Sequence, residues 1–250
     1  MSTPQEANHR VVLVLGGTGG IGSAVCQQLK ENQVVVVSAA RNEARLRAQE
    51  NALGIQGMSV DATKVDQVEA LVSNIVEAQG HLDGIVNAVG SILLKPAHLT
   101  TADEWEQTLS FNLTSAFATI RAGAKVMRRR GGSIVLISSA VGAIGLSNHE
   151  AIAAAKAGVA GLTRSAAATY ARSKIRVNAV APGLVRTPLT QALIENDRSR
   201  EASENLHALK RLGEPDEVAS AIVWLLDPTQ DWVTGQVLGV DGGLSTLHVA

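Results

Sequence analysis

The chain is poor in the residues that most often announce a function. Its one cysteine, Cys26, cannot close an internal disulfide, and its place on a predicted helix marks a buried, inert thiol rather than a nucleophile. Aromatic residues make up 2% of the 250 positions, which leaves substrate identity unreadable. Charge of one sign is lacking too: the formal net charge is −1, so neither nucleic acid nor another polyanion is an expected partner. The six histidines are scattered without ligand spacing, so no metal is expected. No apolar run reaches the length of a membrane span, and the opening MSTPQEANHR has no apolar core of a signal peptide, so the expectation is a cytoplasmic protein with no membrane partner. No Pro-, Ser- or Gly-rich linker divides the sequence. Residues 10–250 therefore read as one domain behind a flexible tail at 1–9, and 46% hydrophobic with 18% charged residues suits a globule with a large core.

Glycine, by contrast, is abundant and concentrated. In Val11–Gly22, VVLVLGGTGGIG, an apolar run stops at a glycine cluster, and Ile21 to Lys30 then carry apolar residues at helical spacing. Strand, tight turn and helix follow. A turn of this kind needs positive φ and close backbone approach to a ligand, and its free amides at a helix N-terminus make a seat for pyrophosphate. The cluster fits two registers, Gly17-x-Gly19-x-x-Gly22 and the wider Gly16-x-x-x-Gly20-x-Gly22, with Thr18 and Ile21 between the glycines. The plainer alternative is a glycine-rich loop between packed elements. The flanking strand and helix, and a second strand at Val34–Ser38, favour dinucleotide binding.

Buried-strand candidates recur at Val11–Leu15, Val34–Ala39, Gly57–Val60, Gly84–Asn87, Ser133–Ile137, Arg176–Ala181 and Val237–Val240, mostly with helical patterns between them. Non-alternating β-branched runs separated by helices indicate a parallel sheet covered on both faces. The fold class is thus α/β, a single doubly wound Rossmann-type domain with about seven parallel strands. Thr101-x-x-Glu104 is a capping box ahead of a long helix that ends in Arg128–Arg130 and Gly131-Gly132, so the arginine run reads as a solvated helix end.

Ligands in such sheets sit beyond the carboxyl ends of the strands. After the second strand come Ala40 and Arg41, where an NAD site usually carries an acid for the ribose 2′-hydroxyl. An arginine fork can bind a 2′-phosphate that an acid would repel, so NADP(H) is expected over NAD(H), with a plain surface arginine as the alternative.

The later post-strand segments are Asp61-Ala62, Asn87–Gly90, Ser138-Ser139 and Pro182-Gly183. With Gly16, Gly20 and Gly22, NAVG at Asn87–Gly90, FNL around Asn112, ISS at Ser138-Ser139, AAAKAG around Lys156, VNAVAPGLVRT up to Thr187 and VTGQVLGVDGG near the C-terminus, the chain resembles the short-chain dehydrogenase/reductase family over nearly its whole length. Ketoacyl-reductase-like members are the most similar. The resemblance implies that Asp61 and Ala62 flank the adenine and that Asn87 and Gly90 support the strand edge under its ribose. It gives Val185 and Thr187, beside Pro182 and Gly183, to the nicotinamide carboxamide, and Lys156 to the nicotinamide ribose. Ser139 would orient the substrate oxygen and Asn112 anchor a water relay. It also implies a mobile substrate lid at about 188–207 and a homotetramer. The small-residue face of Ala151–Ala171 would permit close helix packing between subunits, or ordinary packing on its own sheet.

One position departs from that pattern. The family's proton donor is a tyrosine four residues before the lysine, and here that residue is Ile152, which can neither give nor take a proton. Tyr170 comes some 14 residues after Lys156 on the same helix, about 20 Å along it at 1.5 Å per residue. Two neighbours could substitute. Ser147-x-x-Glu150 has the capping-box pattern, which gives Glu150 a structural task. His149 falls on the lysine's face of the helix, where the dipole favours a neutral imidazole, the form a base needs for alcohol oxidation; a surface histidine is the alternative. The functional expectation is an NADP(H)-dependent oxidoreductase acting on a small-molecule carbonyl/alcohol pair through Asn112, Ser139, Lys156 and His149. The competing one is a catalytically impaired NADP(H)-binding protein serving as a subunit or cofactor-responsive partner.

Overall fold

In a computed structural model, which describes residues 9–247, the apolar run Val11–Leu15 becomes β1, buried at every residue in the middle of a sheet. Val11, Leu13 and Leu15 face one core, while Val12 and Val14 face another. A strand covered on both sides has no reason to alternate polar with apolar residues, which is why the sequence reads as a continuous run. The other strands are β2 (Val35–Ala40), β3 (Gln56–Ser59), β4 (Gly84–Asn87), β5 (Gly132–Ile137), β6 (Ile175–Pro182) and β7 (Val237–Val240). All pair in parallel, in the order β3-β2-β1-β4-β5-β6-β7.

One face is covered by helices α1 (Gly20–Glu31) and α9 (Pro215–Leu226), the latter the last of nine α-helices among the described residues; the other by α3 (Val65–Gln79), α5 (Ser115–Met127) and α6 (Glu150–Tyr170). Between them in sequence lie α2 (Glu43–Leu53), α4 (Ala102–Leu109), α7 (Gln191–Glu195) and α8 (Asp197–Leu206). The chain reverses its winding between β1 and β4, and it is there that the strand ends leave a crevice.

Several expectations are corrected. Val34 stays outside β2, its amide bonded to the Leu29 carbonyl, so the strand runs one residue later and takes in Ala40. β3 ends before Val60, β5 begins at Gly132, and β6 extends from Ile175 through Pro182. The capping box at Thr101 and Glu104 is formed, but the long helix behind it is interrupted by a π-turn at Ser110–Thr114. The box foreseen at Ser147 and Glu150 is not formed. Asn148 takes φ +63° and makes His149 the N-cap of α6, without a side-chain cap bond, while the Glu150 carboxylate turns to the Ala97 amide at 3.4 Å. The small residues Ala151, Ala155, Ala166 and Ala167 of α6 are buried within the subunit, in keeping with packing on its own sheet. Of the tail foreseen at 1–9, all but His9 lies outside the described residues.

Candidate active site

Beyond the carboxyl ends of β1, β2 and β4 lies a cleft of 790 Å³, floored by the glycine loop. Gly16 has φ +76°, and a Cβ there would stand 2.8 Å from the Ala88 carbonyl carbon and oxygen. Only glycine lets the end of β1 pass so close to the end of β4. Its obligation is therefore to backbone packing rather than to a phosphate. Gly20 meets a different limit, since a Cβ would fall 2.6 Å from Thr187 Cγ2, on the cleft's opposite wall. The loop is fixed from beneath: Gln49 Nε2 donates to the Gly17 carbonyl at 2.8 Å and Ser38 Oγ donates to Gln49 Oε1 at 2.6 Å. Gly16, Thr18, Gly20, Ile21 and Gly22 line the cleft, while Gly17 is buried below it. α1 has Gly19 as its N-cap and no side-chain cap bond, which leaves its first amides to the cleft.

Ala40, Arg41 and Arg45 form the wall beyond β2. The Arg41 guanidinium lies over the Phe111 ring, 4.9 Å from its centroid, a cation–π contact that holds its plane over the cleft. Arg45 escaped the sequence reading. Its signal was Asn42, whose side chain accepts the Arg45 amide at 2.9 Å and so starts α2 with Arg45 in the first turn. Asp61 and Ala62 stand on the same cleft. Partial burial pushes the Asp61 carboxyl up, but hydrogen bonds from the Thr63 hydroxyl and amide, with the charges of Arg41 and Lys64, outweigh it and hold the group below its ordinary value.

The residues beneath the far end are tied into the scaffold. Asn87 is buried, donating to Ser115 Oγ at 3.1 Å and accepting the Val89 amide at 2.9 Å. Asn112, 2% exposed in the π-turn, donates to Ser91 Oγ at 3.0 Å and to the Thr108 carbonyl at 2.9 Å. Gly90 lies between Asn112 and Lys156: a Cβ there would be 3.0 Å from Asn112 Oδ1 and 3.7 Å from Lys156 Nζ. Lys156 is 7% exposed and donates to the Ile137 carbonyl at 2.9 Å; burial pushes its ammonium down to about 8. Thr187 lines the cleft, whereas Val185 is buried against Gly213 and accepts the Thr190 hydroxyl at 2.6 Å. Cys26 is buried, and desolvation raises its thiol to about 12.

A second cavity, of 280 Å³, is reached along the loop after β6: Gly183 and Leu184 line it, Thr187 to Leu189 line the cleft, and Thr190 lines the cavity again. Ser139, His149 and Ile152 share its wall. Ser139 Oγ has only long partners, the Pro182 carbonyl and the Val141 amide, each at 3.4 Å. His149 Nδ1 stands 2.7 Å from the Ser147 carbonyl. A carbonyl can only accept, so Nδ1–H is the donor in this contact, and in a neutral ring Nε2 is the nitrogen that bears the lone pair. Glu150 points away, toward Ala97.

The segment foreseen as a lid folds as α7 and α8 over this cavity. Its anchor is His207, 2% exposed, which sequence reasoning missed because nothing local distinguishes it from the other histidines. Nδ1 meets the Ser203 carbonyl at 2.6 Å and Nε2 accepts the Leu184 amide at 3.1 Å. The ring thus joins the end of α8 to the loop after β6.

The cleft has what a dinucleotide requires: a glycine loop at an uncapped helix N-terminus, guanidinium groups on one wall and a strand switch beneath. Comparison with known proteins agrees. Residues 16–245 match the family described as enoyl-(acyl carrier protein) reductase. A 3-oxoacyl-[acyl-carrier-protein] reductase of Vibrio harveyi is 35% identical over 238 residues, 94% of this chain and 97% of that protein. A cis-4-hydroxycyclohexanecarboxylate dehydrogenase of Sinomonas cyclohexanicum is 39% identical over 248 residues, 96% and 98% of the two chains. Among solved structures, an actinorhodin polyketide ketoreductase with NADPH superposes with a TM-score of 0.89 at 31% identity, covering 99% of this chain and 100% of that one.

Proposed function

The chain belongs to the short-chain dehydrogenase/reductase family, and from that premise we propose an NADP(H)-dependent oxidoreductase that moves a hydride between the nicotinamide and a small carbonyl/alcohol pair, with His149 as its proton-transferring group. The observation that carries the reading is the shared wall of the 280 Å³ cavity, which Ser139 and His149 both line beside the dinucleotide cleft.

In this reading the loop from Gly16 to Gly22 holds the pyrophosphate, and Arg41 with Arg45 holds the 2′-phosphate. Asp61 and Ala62 flank the adenine, and Asn87 and Gly90 brace the strand end below its ribose. Thr187, on the loop that continues Pro182, Gly183 and Val185, meets the carboxamide, and Lys156 bonds the nicotinamide ribose. The bound nicotinamide supplies the hydride acceptor or donor. Ser139 Oγ, held only by long bonds, is available to orient the substrate oxygen. In the oxidative direction His149 Nε2 takes the hydroxyl proton while Nδ1–H stays on the Ser147 carbonyl, and the positive charge so formed is stabilised by that carbonyl. The alcohol carbon loses its hydride with the bonding pair, and the carbonyl is left. In the reductive direction the imidazolium returns the proton. Asn112 keeps the π-turn in place against Ser91 at the cleft's inner end. A homotetramer and a cytoplasmic location complete the proposal.

One observation favours the competing reading of a catalytically impaired cofactor-binding protein: the cavity position that the family resemblance gives to a tyrosine is held by Ile152. An NADPH absorbance assay over a carbonyl/alcohol panel, run beside a fluorescence titration of the cofactor, separates the two. The proposal expects turnover and a fall of about 10²–10⁴ in kcat for His149→Ala, with loss of a pH–rate inflection. Tight cofactor binding with no turnover on any member supports the competing reading.

A further inference from the structure

We infer that the substrate is a small, uncharged alicyclic or branched aliphatic secondary alcohol, or its ketone, and that ionised hydroxy acids are excluded. This deepens the hydride-transfer reading and rests on it.

Size comes first. At about 30 Å³ for each water of liquid, 280 Å³ accommodates about nine non-hydrogen atoms, a six-membered ring with two or three substituent atoms. Drug-sized ligands occupy roughly 300–1,000 Å³. The cavity cannot lengthen at its inner end, because His207 stands between it and a separate cavity of 370 Å³ that shares Gly183 and Leu184. Both ring nitrogens of His207 are engaged, which holds the partition in place.

Chemistry comes second. Leu94, Val141, Leu146, Ile152, Leu193 and Leu206 give the cavity branched aliphatic walls, suited to a puckered ring or a branched chain. Among the described residues that line it, none is Lys, Arg, Asp or Glu. Of its two histidines, His207 Nε2 accepts a backbone amide and so carries no proton, while His149 is assigned to the substrate hydroxyl. With His149 neutral and the nicotinamide reduced, a carboxylate entering this space would lose its hydration and find no lysine or arginine in the described lining to replace it. Ile152 belongs to the same argument, since it puts an apolar side chain where a phenol would put a polar one.

The test uses matched probes. Cyclohexanol, a hydroxycyclohexanecarboxamide and its isosteric carboxylate are titrated calorimetrically into the NADPH-loaded protein, whose nicotinamide ring is uncharged, with NADPH formation from NADP⁺ followed in a parallel assay. The expected result is binding of cyclohexanol and the amide, with the carboxylate weaker by about 100-fold. Leu94 lies at the rim, 39% exposed, and can carry a charge without unfolding the site. Leu94→Arg, its cofactor affinity checked, should recover at least about tenfold in carboxylate binding. A carboxylate that binds the wild type as tightly as the amide overturns the inference, as does failure of cyclohexanol to bind or of Leu94→Arg to help the acid. Binding of cyclohexanol without NADPH formation supports the cavity's preference and instead refutes hydride transfer.

Discussion

Removal of Arg41 should separate the two nicotinamide cofactors. Arg41 stands on the wall just after β2, with Arg45 in the first turn of α2, and its plane is already held over Phe111. A hydrogen bond from a charged donor contributes about 1.5–3 kcal/mol. Arg41 is exposed, so screening by solvent and salt places the loss for Arg41→Ala toward the lower end, about 10- to 30-fold in NADPH affinity. Stacking on Phe111 works the other way, since less side-chain freedom is lost when the phosphate binds. NADH has no 2′-phosphate and should lose little. Arg45→Ala should act in the same direction, and the double variant should fall short of the product of the singles because the two groups would share one phosphate. Ala40→Asp should invert the preference by offering a carboxylate to the 2′-hydroxyl and repelling the phosphate. Fluorescence titrations of NADPH and NADH at two salt concentrations measure all of this, with NADPH the more salt-sensitive ligand. Equal losses for both cofactors in Arg41→Ala would refute the reasoning.

Gly16→Val should destabilise the fold by about 2–5 kcal/mol in urea unfolding, through positive φ and a clash with the Ala88 backbone, and should weaken both cofactors alike; unchanged stability would contradict the packing argument. Ile152→Tyr should raise turnover of generic carbonyl substrates by up to about 10²–10⁴ if Ser139 and Lys156 retain the family geometry, and no gain would show that the pocket has diverged around it. Lys156 gives a pH test with a definite sign. Its folded value near 8 lies below the ordinary 10.5, so between those values the unfolded chain binds more protons. Stability relative to Lys156→Met should therefore rise by about 3 kcal/mol from pH 8 to 10.5, while below pH 8 the burial penalty is present in full; a flat difference would count against a buried ammonium.

The sheet was legible because strands covered on both faces leave unbroken apolar runs, and β1 and β4 lie where those runs were read; β7 also stands where it was read, although as an edge strand it is only partly buried. Ends were less legible: Val34 reads as strand by composition but caps the turn after α1 with its amide. The break at Ser110–Thr114 has no sequence signal, because a π-turn leaves helical periodicity nearly intact on both sides. The glycine loop was found, yet the reason for Gly16 was visible only when β4 stood beside it. Local pattern also misled at Ser147, where capping-box spacing is present but the positive φ of Asn148 starts the helix elsewhere. His207 needed the tertiary structure, since its partner at Leu184 comes from another element, whereas Arg45 had a local signal in the N-cap Asn42.

The most direct test of the central claim follows the hydrogen itself. Cyclohexanol deuterated at the carbinol carbon is incubated with the protein and NADP⁺, and the reduced cofactor is examined by mass spectrometry. Hydride transfer predicts NADPH carrying one deuterium, formed by the wild type and lost in step with kcat in His149→Ala. Reduced cofactor without the label, or none at all while NADP⁺ and cyclohexanol are both bound, would contradict it.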